Sequence, residues 1–279
     1  MRAAFRYLGR GSFLARRDPR VLILVAVLFV FGASQLRDIR QLLLVFALAL
    51  GYYSLASIPW ALVRVQWIYL LVVVSMFAAF NAILTGGQAG SFEGTDPHVL
   101  VELPFGLVLT AEGVSLALTQ VVRYLSFAAV GFPVAYAIAP GDFGVALRRL
   151  GLGDRFSVMI DLTVRFVPTL ASELSETIDA QRVRGYEPLA RRGGLRERVR
   201  RLGPLFVPAT VGALVGAEDT IDAMDLRGFA TGKRTWYREL HMDGASWLIL
   251  GAFVAFLVVA TFLNASGGSE HYLLPIFVP

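Results

Sequence analysis

Ala180-Gln-Arg-Val-Arg184-Gly185 and Ala223-Met-Asp-Leu-Arg227-Gly228 are two copies of one pattern, A-x-x-x-R-G, each followed by an aromatic residue, Tyr186 or Phe229. Each copy closes a stretch with the periodicity of an amphipathic helix. Its Ala and Arg therefore share a face one turn apart, and its Gly supplies the stop. Each arginine is predicted to project from a helix end. The helix dipole by itself accounts for an arginine in a last turn, at about 0.3–1 kcal/mol. It does not account for an alanine repeated one turn earlier in both copies. A small side chain beside a long guanidinium suits docking in a partner's groove, where the backbone approaches closely and Arg pairs bidentately with a carboxylate.

The segments that lead into the two motifs predict long helices. From Phe156 to Arg184, the apolar residues Phe156, Ile160, Val164, Val167, Leu170, Leu174 and Ile178 recur at near-helical spacing. Asp161, Arg165, Glu173, Glu176 and Asp179 fill the polar positions. From Leu195 to Arg227 the apolar face is Leu205, Val207, Val211, Leu214 and Val215, and the acidic residues Glu218, Asp219, Asp222 and Asp225 follow. Pro168 and Pro208 are positioned to kink these helices. A short helix over Asp142 to Leu150 precedes them.

Outside this region the chain is apolar. Over its 279 residues 56% are hydrophobic and the mean hydropathy is +0.62, beyond what a soluble domain carries. Apolar runs of spanning length occur at Val21 to about Leu36, Gln41 to about Trp60, Val65 to Leu84, Thr110 to about Ala139, and Trp247 to about Leu263, the fourth alone holding charges, at Glu112 and Arg123. The predicted fold is an all-α integral membrane protein with about five transmembrane helices plus a domain of amphipathic helices. It divides into an N-terminal bundle of four spans (1–139), a cytoplasmic domain (140–240), and a last span with an outer tail (241–279). The basic arm from Arg2 to Arg20 is read as the flank of a retained first span, since Gly32-Ala33-Ser34 is a poor cleavage site. Thr110 is the expected N-cap of the fourth span. Arg123 lies inside that span, where a charge is costly, and is expected to face the bundle in a structural ion pair.

The net charge of +5 comes from arginines that bracket apolar segments, which is the signature of positive-inside topology and not of a nucleic-acid surface. The N-terminal arm, the Pro59–Arg64 turn and the region from Arg148 to Arg238 are basic and assigned to the cytoplasm. The stretch Gly86–Pro104, with Glu93, Asp96 and Glu102, and the tail after Asn264 are assigned outside. The Arg37–Arg40 turn is the exception. The chain has no cysteine, and its histidines, His98, His241 and His271, are scattered, so no metal-ligand spacing exists. Gly228-Phe-Ala-Thr-Gly232-Lys233-Arg234-Thr235 is one residue too short for a phosphate loop, puts Arg after Lys, and follows a helix instead of a strand. No nucleotide or other cofactor site is assigned to the chain; any ATP must be bound by a separate subunit. The spacing of Glu218, Asp219, Asp222 and Asp225 leaves open an intramembrane transferase that uses magnesium, against the plainer reading of a solvated acidic face.

The sequence resembles the transmembrane T components, or energy-coupling subunits, of energy-coupling-factor type ABC importers. Arg165-Phe-Val-Pro168, Glu173 and Ile178-Asp-Ala180-Gln-Arg182-Val-Arg184-Gly185 carry the likeness, and Ala223-Met-Asp-Leu-Arg227-Gly228-Phe229 matches the second motif. Arg123-Tyr-Leu and the helix at Pro140-Gly-Asp142 also fit. The resemblance implies a non-enzymatic subunit of a plasma-membrane importer for a vitamin or transition-metal ion; the loop charges and five spans put its N-terminus in the cytoplasm and its C-terminus outside. Arg184 and Arg227 would each insert into one of two ABC ATPase subunits, and a separate membrane-embedded substrate-binding S component would pack against the apolar surface. A conventional ABC permease is the remaining alternative; it would couple through a single loop.

Overall fold

A computed structural model describes residues 11–85, 99–102, 108–186, 195–229, 231–232 and 240–267. Its helices are α1 (Pro19–Gln35), α2 (Ile39–Leu55), α3 (Trp60–Thr85), α4 (Ala111–Ala137), α5 (Phe143–Arg149), α6 (Asp154–Val183), α7 (Leu195–Leu226) and α8 (Gly244–Ala265). Two strands, β1 (Val99–Glu102) and β2 (Val108–Thr110), pair antiparallel with Glu102 opposite Val108. Chain contacts divide the molecule into two compact units. One is Met1–Ala4 with Phe143–Glu239, and the other is Phe5–Asp142 with Leu240–Pro279.

The second unit carries the membrane-spanning helices. By length and composition α3, α4 and α8 are long and apolar enough to cross a bilayer. The 17-residue helices α1 and α2 rise about 26 Å each, at the lower limit for a span. Local chemistry sets the starts of these helices. Asp18 accepts from the Arg20 amide, Asp38 from the Arg40 amide, Thr110 from the Gly113 amide and Asp243 from the Ser246 amide, each supplying a partner that the first turn lacks. The sequence places a basic turn over Pro59–Arg64. Instead α2 stops at Leu55 and α3 begins at Trp60, because Pro59, with its fixed φ and missing N–H, precedes a helix start more readily than it extends a loop.

Contacts fix the directions. Gln35 donates to Thr261 at 3.1 Å and Arg17 pairs with Asp243, so α1 and α8 run parallel. Gln66 donates to the Tyr136 hydroxyl at 3.2 Å, and a Cβ on Gly113 would lie 3.1 Å from the Ala82 carbonyl, so α3 and α4 are antiparallel. Arg123 reaches Leu36, just ahead of α2, while Phe132 meets Tyr53 near the other end of α2; α2 and α4 are parallel. Thus α1, α3 and α8 run one way, and α2 and α4 the other. The chain leaves this body after α4 and returns at α8 on the side where α1 begins.

Aromatic rings fill the interior. Phe29 stacks on Phe256 at 5.6 Å, Tyr52 meets Phe253 edge-on at 5.5 Å, and Trp67 meets Phe132 at 5.1 Å. Such pairs add about 0.5–1.5 kcal/mol beyond the area they bury. Arg123 does face the helix bundle, but its partner is not a carboxylate. Its Nη2 donates to the Leu36 carbonyl at 2.6 Å, at the end of α1, where carbonyls lack intrahelical donors and the dipole is negative.

In the other unit α5 packs on α6, and α6 on α7. A Cβ added to Gly144 would stand 2.7 Å from the Ser157 carbonyl and 3.0 Å from the Asp161 Cβ, so the absence of a side chain is what lets α5 lie against α6. Arg148 closes the turn between them by pairing with Asp154. Helix α6 continues through Pro168, and α7 through Pro204 and Pro208.

Candidate functional site: two matched helix ends

The apolar stripe on α6 is covered only in part: Phe156, Val167 and Leu170 are exposed, and Ile160, Val164, Leu174 and Ile178 are half-buried. Only Ser157 on α6, and Leu205 among the described side chains of α7, are buried. Among the described residues of this unit few elements face the stripe; amphipathic periodicity specifies that a face seeks cover, not that the same chain supplies it. Helix α7 likewise presents Phe206, Val207, Val211, Leu214 and Val215 outward.

The two motifs end their helices in one geometry. At the first, the Gly185 amide donates to the Arg182 carbonyl at 2.9 Å and the Tyr186 amide to the Gln181 carbonyl at 2.9 Å. At the second, the Gly228 amide donates to Asp225 at 2.9 Å and the Phe229 amide to Met224 at 2.9 Å. These are the two bonds of a Schellman cap, which requires a left-handed residue at the glycine position. Gly185 and Gly228 adopt it, with φ of 78° and 69°. Arg184 and Arg227 thereby occupy the same cap position, the last before the chain reverses.

Both arginines are exposed, and so are Ala180 and Ala223 one turn earlier. Neither guanidinium has a carboxylate partner among the described residues, although acidic neighbours are close in sequence. Arg182, in contrast, is tied to Asp179 at 3.0 Å, the ordinary i, i+3 pair of a solvated helix. Glu173 and Pro168 are exposed along α6, upstream of the cap. Arg123 belongs to the membrane unit and to the end of α1. Glu218, Asp219, Asp222 and Asp225 are all exposed on α7. Lys233, Arg234, His98 and His271 lie outside the described residues, as do the stretch Gly86–Pro104 apart from β1 and the tail beyond 267.

Sequence reasoning missed the residue just ahead of each arginine. Val183 is 91% exposed and Leu226 is 90% exposed, well beyond any other large apolar side chain described. Both sit in the last position with helical backbone, at the same step of the same cap. No spacing signal singles them out, since an apolar residue before Arg reads like any other position of an amphipathic helix.

Comparison with known proteins places this geometry in a family. Residues 11–237 match the family described as CbiQ, cobalt transport protein. The chain is 28% identical over 273 residues to the energy-coupling factor transporter transmembrane protein EcfT of Staphylococcus aureus (strain 04-02981), covering 94% of this chain and 97% of that one. It is 26% identical to the protein of the same name from Bacillus selenitireducens, covering 94% and 97%, and 26% identical to that of Bacillus subtilis (strain 168), covering 93% and 97%. Family match, apolar helices and the pair of matched motifs agree: this multi-pass membrane chain belongs to the CbiQ cobalt transport family, that of the transmembrane T components of energy-coupling factor transporters.

Proposed function

We propose that the two capped helix ends are the points at which this subunit takes up force, Arg184 and Arg227 each seating in one of two partner ATPase subunits. The observation that carries the reading is the likeness of the two caps: the same pair of Schellman hydrogen bonds, the same left-handed glycine, and an exposed arginine with no carboxylate partner among the described residues. A helix needs only one such stop to end. Two that match in position, each displaying an exposed cation, suit two equivalent acidic grooves.

ATP is bound and hydrolysed by those partners, and the T component itself is not an enzyme. The exposed apolar faces of α6 and α7 receive a separate membrane-embedded S component, which holds the substrate, a vitamin or a transition-metal ion. Residues 140–240 and the N-terminus lie on the cytoplasmic side and the C-terminus outside. An odd number of spans, running as the contacts within the membrane unit run, supports that arrangement, together with the arginines that flank it.

The test is recovery of ATPase subunits with the purified membrane protein. Arg184→Glu and Arg227→Glu, made singly, weaken recovery. Made together they abolish transport while the protein remains in the membrane. Full ATPase recovery by the double variant would overturn the docking assignment.

A further inference from the structure

We infer that Val183 and Leu226 are the apolar anchors of the two docking ends, each filling a hydrophobic pocket beside the carboxylate that receives the neighbouring arginine on an ATPase subunit. The inference rests on the docking reading above and extends it to side chains outside the repeated A-x-x-x-R-G letters.

Four observations support it. Val183 and Leu226 are 91% and 90% exposed, so neither contributes packing to its own helix. A Val or Leu left in water forgoes the gain that burial of its apolar surface would bring. They occupy equivalent positions in two equivalent caps, which removes chance placement as an explanation for either. Each adjoins an exposed arginine with no carboxylate partner among the described residues, so the charge that selects an acidic groove and the apolar group that fills it leave the helix at one point. An exposed ion pair contributes little in water; arginine alone gives direction and selectivity but little hold. A central apolar anchor with a charged neighbour is the usual composition of a tight contact.

The two ends also differ in size. The first presents Val183 with Tyr186 following, and the second presents Leu226 with Phe229. The pocket for the first end is therefore the shallower. Where the two ATPases differ in sequence, exchanging the anchors lowers affinity at both ends.

The experiment uses the full chain in nanodiscs with its cognate ATPase subunits, with affinity measured at low and high salt. Val183→Thr with Leu226→Asn keeps the arginines and the caps; it is expected to weaken binding by about ten- to a hundredfold at both salt concentrations. Arg184→Gln with Arg227→Gln is expected to weaken binding strongly at low salt and less at high salt. Wild-type affinity in the anchor variant, with binding lost in the arginine variant, overturns the anchors and leaves the docking reading intact. Wild-type affinity in both overturns the docking reading itself. Because both anchors are solvent-exposed, the thermal unfolding of the isolated subunit should not change, and a drop in its midpoint would assign them a structural role instead.

Discussion

Gly144 and the carbonyl of Ser157 stand so close that a Cβ on Gly144 would come within 2.7 Å of that oxygen. The obstacle is backbone on one side and the Asp161 Cβ, at 3.0 Å, on the other, so no rotamer change relieves it. Gly144→Ala should force α5 away from α6, at about 1–3 kcal/mol. Hydrogen exchange would report it as faster exchange of amides in 143–161, with α8 unaffected. Unchanged protection there would contradict the close approach.

Asp243 joins α8 to the start of α1 in a pH-dependent way. Its carboxylate accepts from the Ser246 hydroxyl and amide and pairs with Arg17. The Ser246 hydroxyl bond and these other partners hold its pKa below the usual carboxylate value, against a smaller opposing desolvation. A depressed folded-state pKa gives stability that is present above the unfolded carboxylate's pKa and is lost as pH falls through the folded value. Asn is also a good N-cap, so Asp243→Asn isolates the charge. Its melting temperature should lie below wild type by a constant amount near neutrality, and the gap should close in acid. A gap that widened as pH fell would reverse the assignment.

Thr110 is buried at 1% exposure and caps α4 by accepting from the Gly113 amide at 3.0 Å. Thr110→Val keeps the shape and removes the acceptor. A loss of about 1–2 kcal/mol is expected. Thr110→Ser should recover most of it in the same denaturation measurement.

Gly185 and Gly228 have the positive φ that their caps require. Gly185→Ala or Gly228→Ala should cost about 1 kcal/mol and, more tellingly, turn the adjacent arginine away from its present direction. ATPase recovery should drop while circular dichroism retains full helix content. Asn, which tolerates the left-handed region, should retain more binding than Ala at either position. Equal binding by the Ala and Asn variants would separate the cap from docking.

Helix positions are legible in this sequence wherever one chemical signal decides them. The predicted Leu195–Arg227 helix is observed over Leu195–Leu226 and the predicted Phe156–Arg184 helix over Asp154–Val183, because an amphipathic period meets a glycine stop at each end. Thr110 is an N-cap as expected. The partner of Arg123 was not legible: cost in the membrane requires some acceptor, and nothing local distinguishes a distant carboxylate from the Leu36 carbonyl. The hairpin of β1 and β2 is too short to stand out beside long apolar runs. Nor does periodicity reveal that Phe156, Val167 and Leu170 are exposed, since a period shows that a face exists and not what covers it. The arginines of the site follow from their repetition, whereas Val183 and Leu226 emerge only once exposure is known.

The parallel pairing of α1 with α8 has a consequence for biogenesis. These neighbours are separated by some two hundred residues of chain, so α1 enters the bilayer long before the helix that will lie along it exists. During that interval Val25, Phe29 and Ala33, buried in the finished body, are without part of their final surroundings. Sequence-distant contacts form late and slowly. The nascent chain thus carries an unfinished seam until its last span is threaded, and a ribosome that stalls between the second motif and α8 would release a subunit with both capped helix ends made and its membrane body open.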